Sequence, residues 1–348
     1  MVQSLFRMLF YGILPRHPFS LPTILLMKCS PLRRLWSTLK DRQKMYAGSL
    51  LGGRCWSKIQ EPPKLLNVLS QLRIRVVLIG IDYTESNLRS LSSTKDVTAM
   101  QELLLDLGVP IDHITILTGQ NATRSRIVET LEAIKTNEAL SEGDSFLIYF
   151  AGHCILYPAS SMPEWSSQTN DRFIPAICPV DRDDSPSGKI PDISFRELQQ
   201  YLSELDAKKL RVTVILDCCH SGGFDPMHFG DLNNSQSPLQ SFRITDADPQ
   251  GSLAAMLAAG GRNGCLLRED WEPPSFNCTL LAACRYGEPA RDNGEGGDFT
   301  QTLVAKLRKS TSAWPSATYQ IVWDQVWPEV HYQNPVLAGE RRNNLFFQ

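Results

Sequence analysis

Two apolar segments of the chain end in side chains that are capable of nucleophilic chemistry. Residues 210–223 read LRVTVILDCCHSGG, a β-branched run followed by an acid, two thiols, an imidazole, a serine and two glycines. Residues 145–154 read SFLIYFAGHC and end in a similar manner, in Gly152, His153 and Cys154. Since sites in open α/β sheets form outside the carboxyl ends of the strands, the two segments predict a cysteine–histidine site.

The two residue types complement each other chemically. A cysteine attacks as the thiolate, and a free thiol with a pKa of about 8.5 is mostly protonated at neutral pH. A nearby imidazole takes that proton and later returns one to the leaving amine. The pair therefore predicts cleavage of an amide bond by a nucleophilic cysteine.

From residue 72 onward, predicted strands and helices alternate regularly along the chain. These are the elements that must position the cysteine and the histidine. Apolar runs predict strands at 76–81, 114–117, 146–150, 212–216, 279–283 and 335–337. Helical spacing predicts helices at 93–107, 123–135, 194–205, 299–307 and 319–327. Ser93 is predicted to cap the first of these helices, and Ser194 with Glu197 forms a capping box for the third. The alternation predicts an α/β fold with a mostly parallel sheet and helices on both faces. The polar stretches 157–191 and 224–277 are predicted to be loops.

Composition limits the class of protein. With 348 residues, 42% of them hydrophobic and 21% charged, the chain has room for one large or two modest globular domains. A net charge of -2 gives no reason to expect nucleic acid or a membrane surface as partner. Nine cysteines without a framework spacing predict free thiols in a reducing compartment, and hence a cytoplasmic protein.

Residues 1–72 are predicted to be a separate leader. The first 40 residues carry six Lys or Arg and no acid, a pattern typical of an organelle transit peptide, which would direct the protein to mitochondria. A disordered leader is the alternative. No apolar run approaches the roughly 18 residues that span a bilayer, so no transmembrane segment is predicted.

Five segments resemble one known family. RVVLIGIDY at 75–83, TKDV at 94–97, YFAGHC at 149–154, AICPVD at 176–181 and DCCHSG at 217–222 occur in the order found in metacaspases, which are caspase-fold peptidases. The resemblance extends over residues 73–348. It implies a caspase-like three-layer sandwich with a six-stranded, mostly parallel sheet. It divides the peptidase domain into a large segment at 73–223, an inter-segment loop at 224–277 and a small segment at 278–348. It also implies a monomer, in contrast to the dimeric animal caspases.

The resemblance assigns roles to the candidate residues. Cys219, immediately before His-Ser-Gly, is implied to be the nucleophile and His153 the base, while Cys218 packs beneath the site. The backbone N–H groups of Cys154 and Cys219 are implied to bind the oxyanion. The family usually has Ser-Gly-His-Gly where this chain has Ala151 to Cys154, so a hydroxyl is missing from the pocket wall. We also expect a backbone penalty if Cys154 occupies an angle suited to glycine.

Two acids predict the specificity of the site. Asp217 ends the nucleophile strand and Asp96 opens the helix after the first strand, so both lie toward one edge of the sheet. Paired carboxylates suit an Arg or Lys before the scissile bond, and metacaspases cut after these residues. The alternative for Asp96 is a first-turn acid that only complements the helix dipole.

Further acids lie in the loops, at Asp181, Asp183, Asp184, Asp192 and Asp225. Calcium takes six to eight oxygen ligands, and many metacaspases are calcium-activated through acids at comparable positions. The resemblance therefore implies calcium as an activator, held by Asp181, Asp192 and Asp225. Pro191 stands where a further ligand is expected. A solvated acidic loop is the alternative.

Three functions remain open at this point. The first is a cysteine endopeptidase acting on proteins or peptides after Arg or Lys, with self-processing at Arg243, Arg262 or Arg268. The second is an inactive or weakly active caspase-fold interaction module, suggested by Ala151 and Cys154. The third is a zinc site built from the clustered Cys and His residues, which adjacent ligands without intervening residues disfavour.

Overall fold

The computed structural model describes residues 73–85, 88–158, 173–182, 190–224, 277–309 and 317–346. All of them belong to one compact unit, Glu61–Gln348. The predicted leader, Asp183, Asp184, Asp225 and the three candidate self-processing arginines lie outside the described residues.

Within the described ranges, nine strands form two sheets. Their bounds are β1 Ile74–Gly80, β2 Ile114–Thr118, β3 Ser145–Ala151, β4 Cys154–Pro158, β5 Phe173–Ile177, β6 Ile193–Ser194, β7 Arg211–Asp217, β8 Cys278–Ala282 and β9 Val336–Ala338. The main sheet has six strands in the order β2-β1-β3-β7-β8-β9. All of its neighbours pair in parallel except β9, which is antiparallel to β8. The predicted α/β fold with a mostly parallel six-stranded sheet is confirmed.

In the part of the chain that the structure describes, five α-helices cover this sheet on both faces: α1 Ser93–Asp106, α2 Arg124–Thr136, α3 Phe195–Ala207, α4 Asp298–Lys309 and α5 Tyr319–Val326. Alternate side chains of β1 enter different cores, because successive strand residues point to opposite faces. Val77 and Ile79 pack in one core with apolar residues of α2 and α3. Val76 and Leu78 pack in the other, with apolar residues of α1, α4 and α5. The three layers are therefore helices, sheet and helices.

The central strands end at one level. Gly80 of β1 pairs with Ala151 of β3, and Ala151 pairs in turn with Asp217 of β7. The loops that follow these three residues therefore leave the sheet side by side. This register brings the segments after β1, β3 and β7 to a common edge.

The helix caps agree with the sequence at one position and differ at another. The Ser194 hydroxyl accepts a hydrogen bond from the Glu197 backbone N–H at 3.0 Å, as the capping box predicts. Ser93, in contrast, is the first residue of α1 rather than its cap. The Asp82 carboxylate, just past β1, accepts from the Thr94 N–H at 2.8 Å and satisfies that end of the helix. The predicted cap was wrong because a residue remote from the helix takes over its function.

The small sheet β4-β5-β6 was not predicted. It is antiparallel and lies partly within residues 157–191, which the sequence predicts to be a loop. Pro175 in the middle of β5 argues against a strand, and β6 has only two residues. Its consequence for the site is that Cys154 begins a strand directly after His153.

Candidate active site

The two adjacent cysteines after β7 differ in their surroundings. Cys218 is buried, with 1% of its surface exposed, whereas Cys219 is only partly buried. The Cys219 thiol donates a long hydrogen bond of 4.0 Å to the carbonyl of Ala290. Of the two thiols, Cys219 is the one with access to a substrate.

The Cys219 thiol is protonated at rest. Burial is the largest cause that raises its pKa, to about 11, and the hydrogen bond to Ala290 opposes this only in part. A base is therefore needed to produce the thiolate at neutral pH.

His153, the predicted base, follows β3. Its Nε2 lies 2.7 Å from the carbonyl oxygen of Arg89. A carbonyl oxygen only accepts hydrogen bonds, so Nε2 carries the proton and Nδ1 has the free lone pair. Burial lowers the pKa of the imidazole below its ordinary value, which keeps the ring neutral at neutral pH. The neutral ring is the form that accepts a proton from a thiol.

Tyr83, just past β1, holds the backbone of His153. The His153 N–H donates to the Tyr83 hydroxyl at 3.1 Å, and this hydroxyl donates to the Cys178 carbonyl at 2.6 Å. The rings of Tyr83 and His153 also lie close, with 4.6 Å between their centroids. Neither Tyr83 nor Arg89 was predicted as a site residue. Tyr83 lies in the quoted segment RVVLIGIDY, but Arg89 contributes a backbone carbonyl that no residue type would reveal.

Cys154, predicted to contribute its N–H to the oxyanion, starts β4 opposite Ile177 of β5. The neighbouring pair is hydrogen-bonded, since the Cys178 N–H donates to the His153 carbonyl at 3.1 Å. Hydrogen-bonded and non-hydrogen-bonded pairs alternate in an antiparallel ladder, so the Cys154 N–H points away from β5.

The expected backbone penalty at Cys154 is wrong. Within the described ranges, positive φ angles of non-glycine residues occur at Tyr83, Lys209, His220 and Tyr332. Cys154 has no such angle, because a strand residue adopts an extended backbone that any residue tolerates.

The turn after Cys219 is tightly packed. His220 adopts φ 60° and is 3% exposed, and burial lowers the pKa of its ring to about 4. A Cβ at Gly222 would lie 2.8 Å from the Cys284 carbonyl, so only glycine fits there without a shift. His220 is therefore a neutral, buried residue of the turn.

Asp96 and Asp217 lie near each other, and both are buried, at 2% and 6% exposure. Asp96 accepts hydrogen bonds from the Gly297 N–H at 2.8 Å and from the Gln301 amide at 3.0 Å. Asp217 accepts from the N–H and hydroxyl of Thr300, at 3.0 and 2.6 Å. The start of α4 thus provides donors to both acids, and the partners of Asp96 lie outside its own helix.

The electrostatics of the two acids are coupled. Burial, followed by the nearby charge of Asp217, raises the pKa of Asp96 to about 8. Burial also raises the pKa of Asp217, to about 6, against the hydrogen bonds from Thr300. At neutral pH the pair therefore holds one proton, mainly on Asp96, and a bound cation would favour its release.

Two of the three predicted calcium ligands, Asp192 and Asp181, accept hydrogen bonds from other residues of the chain. Asp192 accepts from the Arg182 guanidinium at 2.8 and 3.0 Å, and also from the Tyr157 hydroxyl. Asp181 accepts from the Arg124 N–H at 2.8 Å. A calcium ion bound by Asp192 would therefore have to compete with the Arg182 guanidinium. The third predicted ligand, Asp225, lies outside the described residues.

The described part of the chain lacks two features. Within it, no three Cys, His, Asp or Glu side chains are grouped in a way that would hold a metal ion. Among its helices, none is long and apolar enough to cross a membrane.

Known proteins resemble this chain in the segment that carries the site. Residues 74–227 match the family model described as "Metacaspase, peptidase C14 domain". Metacaspase-3 of Arabidopsis thaliana is 29% identical over 153 residues, 42% of this chain and 40% of that protein. Metacaspase-3 of Trypanosoma brucei brucei is 26% identical over 177 residues, 49% of this chain and 46% of that protein. The chain thus spans less than half the length of these relatives.

A solved structure is similar over more of the chain. The crystal structure of caspase-1 from Spodoptera frugiperda covers 83% of this chain and 96% of its own, with 13% identity and a TM-score of 0.45. At this TM-score the similarity adds no argument to the order of the strands.

The sheet order and the residues at its edge agree with the caspase-like α/β fold that the sequence resemblance implies. With the family match at 74–227, they support a protein of the metacaspase type and a cysteine-type peptidase domain.

Proposed function

We propose that this protein is a cysteine endopeptidase that cleaves peptide bonds after Arg or Lys. The observation that carries the proposal is the register of β1, β3 and β7, whose last residues are paired. Because His153 follows β3 and Cys219 follows β7, this common edge supports the proposal that the two residues act together. The buried acids Asp96 and Asp217 support the proposed preference for a cationic side chain.

The mechanism begins with a neutral thiol and a neutral imidazole. His153 Nδ1 takes the thiol proton while Cys219 Sγ bonds to the carbonyl carbon of the substrate. The Arg89 carbonyl supports the imidazolium that forms, through its hydrogen bond to Nε2–H. The N–H groups of Cys154 and Cys219 stabilise the oxyanion of the tetrahedral intermediate.

Collapse of this intermediate breaks the peptide C–N bond. The imidazolium gives its proton to the leaving amine, and a thioester between Cys219 and the substrate remains. Water then attacks the thioester as His153 removes its proton, and the second tetrahedral intermediate releases the new carboxylate and the thiol.

Specificity is proposed to come from Asp96 and Asp217. A guanidinium or ammonium entering between them would bind two carboxylates in a buried environment, where ion pairs are stronger than in water. Its charge would lower the pKa of Asp96 and release the proton that the pair holds at neutral pH. An aspartate before the scissile bond would be repelled.

Self-processing is proposed as a second reaction of the same site. Residues 224–277 contain Arg243, Arg262 and Arg268, each of which fits the proposed specificity. Purified active protein is expected to give two fragments on a denaturing gel, and the Cys219→Ala variant one band. A single uncleaved band from active protein would contradict self-processing without affecting the cleavage of other substrates.

The proposal is tested with fluorogenic peptides that end in Arg, Lys or Asp, with and without calcium. Cys218→Ala is the matched control for Cys219→Ala, because it removes a thiol one residue away. Release after Arg or Lys is expected from the wild type and from Cys218→Ala, and none from Cys219→Ala. Release after Asp would contradict the proposed pocket while leaving the nucleophile intact.

A second function, partner binding without cleavage, is favoured by one observation. The acid pair is already hydrogen-bonded to Gly297, Thr300 and Gln301 of the same chain. Absence of release from every peptide, by protein shown to be folded, would favour this interaction module over the endopeptidase.

A further inference from the structure

Tyr332 is the most exposed large hydrophobic residue in the described part of the chain. Its exposed fraction is 85%, whereas the other exposed large apolar residues lie between 38% and 57%. It also adopts φ 65°, a left-handed conformation that is unfavourable for a bulky side chain. Strained backbone of this kind concentrates at ligand-binding positions, which makes the surroundings of Tyr332 informative.

A short series of contacts connects Tyr332 to the nucleophile. The carbonyl of Ala290 accepts the hydrogen bond from the Cys219 thiol. The next residue, Arg291, donates its backbone N–H to the Gln333 side chain at 2.8 Å. Its guanidinium carbon lies 4.7 Å from the centroid of the Tyr332 ring. Arg291 therefore links Ala290, which contacts the nucleophile, to the ring of Tyr332.

The ring contacts Arg291 on one face and is largely open to solvent. Arg291 covers one of its faces and is itself near Asp298, with 3.6 Å between Nε and the carboxylate. The Gln333 side chain, 7% exposed, fixes the adjoining backbone through its bond to Arg291. An aromatic ring fixed on one face and open to solvent on the other is suited to binding a second apolar group.

We propose that Tyr332 forms a subsite for an aromatic or large aliphatic side chain of the substrate, one or two residues before the scissile bond's Arg or Lys. This inference rests on the proposed endopeptidase function. An extended peptide advances about 3.3 Å per residue. Because Ala290 and Arg291 connect the nucleophile to the ring, we place the subsite at the positions next to the residue that is cleaved. An apolar side chain at either position would stack on the open face of the ring and remove it from water.

The test uses peptides that end in Arg and carry Phe, Leu or Ala at each of the two preceding positions. The quantity measured is kcat/KM, expressed as the ratio of the Phe or Leu peptide to its Ala counterpart. A ratio within one protein does not depend on the fraction of active enzyme. Tyr332→Asn is the variant, because asparagine tolerates the left-handed backbone. Ile321→Ala is the matched control, as Ile321 is an exposed apolar residue on α5.

The wild type and Ile321→Ala are expected to prefer Phe or Leu over Ala by about 3- to 10-fold at one of the two positions, the factor that an aromatic contact supplies. In Tyr332→Asn this ratio is expected to fall to about 1. An unchanged ratio in Tyr332→Asn, or no preference in the wild type at either position, overturns the subsite and leaves the endopeptidase intact. No cleavage of any peptide by folded wild type contradicts the proposed function, and the subsite with it.

Discussion

The backbone N–H of His153 donates to the hydroxyl of Tyr83, at 3.1 Å, across 70 residues of chain. The same hydroxyl donates to Cys178, which lies opposite His153 on the neighbouring strand. The Tyr83 hydroxyl therefore lies between the His153 N–H and the Cys178 carbonyl, at the end of the β4–β5 pair. In a regular antiparallel ladder these two groups would bond to each other. A side chain from the end of β1 thus sets the position of the proposed base.

Removing this hydroxyl is expected to impair catalysis more than binding. In Tyr83→Phe the N–H of His153 and the carbonyl of Cys178 each lose a hydrogen-bond partner. This loss is expected to lower the free energy of unfolding by about 1–3 kcal/mol. We expect kcat for an Arg peptide to fall about tenfold, or more, with KM nearly unchanged. Steady-state kinetics and the acid limb of the pH profile, which reports His153, measure the effect.

Tyr319→Phe is the control for this substitution. Tyr319 is also buried, at 3% exposure, and its hydroxyl is bonded to Thr213 in the other core. A comparable loss of stability with unchanged kcat is expected there. If both variants lower kcat equally, Tyr83 acts on stability alone and does not position the base.

The acid pair predicts a pH-dependent affinity for guanidinium ligands. Asp96, with a pKa raised to about 8, must lose its proton when a cation binds, whereas a guanidinium stays charged throughout. The affinity of Cys219→Ala for agmatine is therefore expected to rise by up to about tenfold per pH unit below pH 8, and to level off above it. Calorimetric titration between pH 6.5 and 9 measures this, and Asp96→Asn is expected to bind weakly at every pH. Equal affinity at both ends of the range would contradict the coupling.

The same pKa shift predicts that Asp96 destabilises the fold. Its pKa is raised from 3.8 to about 8, so the unfolded chain ionises while the folded protein still holds the proton. Stability is therefore lost as pH rises from 3.8 to 8, and is unaffected by this group below 3.8.

Asp96→Asn removes that penalty. Its free energy of unfolding at pH 8 is expected to exceed that of the wild type by about 1 kcal/mol or more, and the gain should vanish toward pH 4. Urea denaturation at both pH values provides the comparison. Asp106→Asn, at an exposed acid of the same helix, is expected to change stability by less than about 0.5 kcal/mol. A gain that is equal at pH 4 and pH 8 would argue against the assigned pKa.

The buried ion pair of Arg182 and Asp192 is expected to be important for stability. The side chains are 4% and 0% exposed, so loss of the guanidinium would leave a buried carboxylate without its counter-charge. Arg182→Gln is expected to lower the free energy of unfolding by about 3–5 kcal/mol.

Glu142→Gln, which breaks an exposed ion pair with Lys209, is the control. It is expected to lower the free energy of unfolding by about 1 kcal/mol or less. Both free energies come from urea denaturation. Addition of calcium to Arg182→Gln provides a second readout. If calcium restores its melting temperature, the carboxylates of this region do form a cation site once the guanidinium is absent.

Local pattern determined much of the architecture. The buried strands β1, β3 and β7 are mostly apolar, and the helices between them show regular spacing, so their existence and order followed from the sequence. The Ser194 cap followed too, because its donor lies three residues away. Since parallel strands end at a common edge, the sequence also predicted that Cys219, His153 and the acid pair would gather there.

Only the tertiary structure decided which remote groups complete the site. The Arg89 carbonyl on His153 is a backbone atom that every residue possesses, so no pattern distinguishes it. The donors to Asp96 and Asp217 come from about residue 300, and the guanidinium of Arg182 that binds Asp192 is a partner that the acidic pattern did not indicate. A sequence records side-chain types and local periodicity. Which donor reaches a buried acceptor depends on how elements distant in the chain pack, and this is settled only when the sheet and its helices assemble.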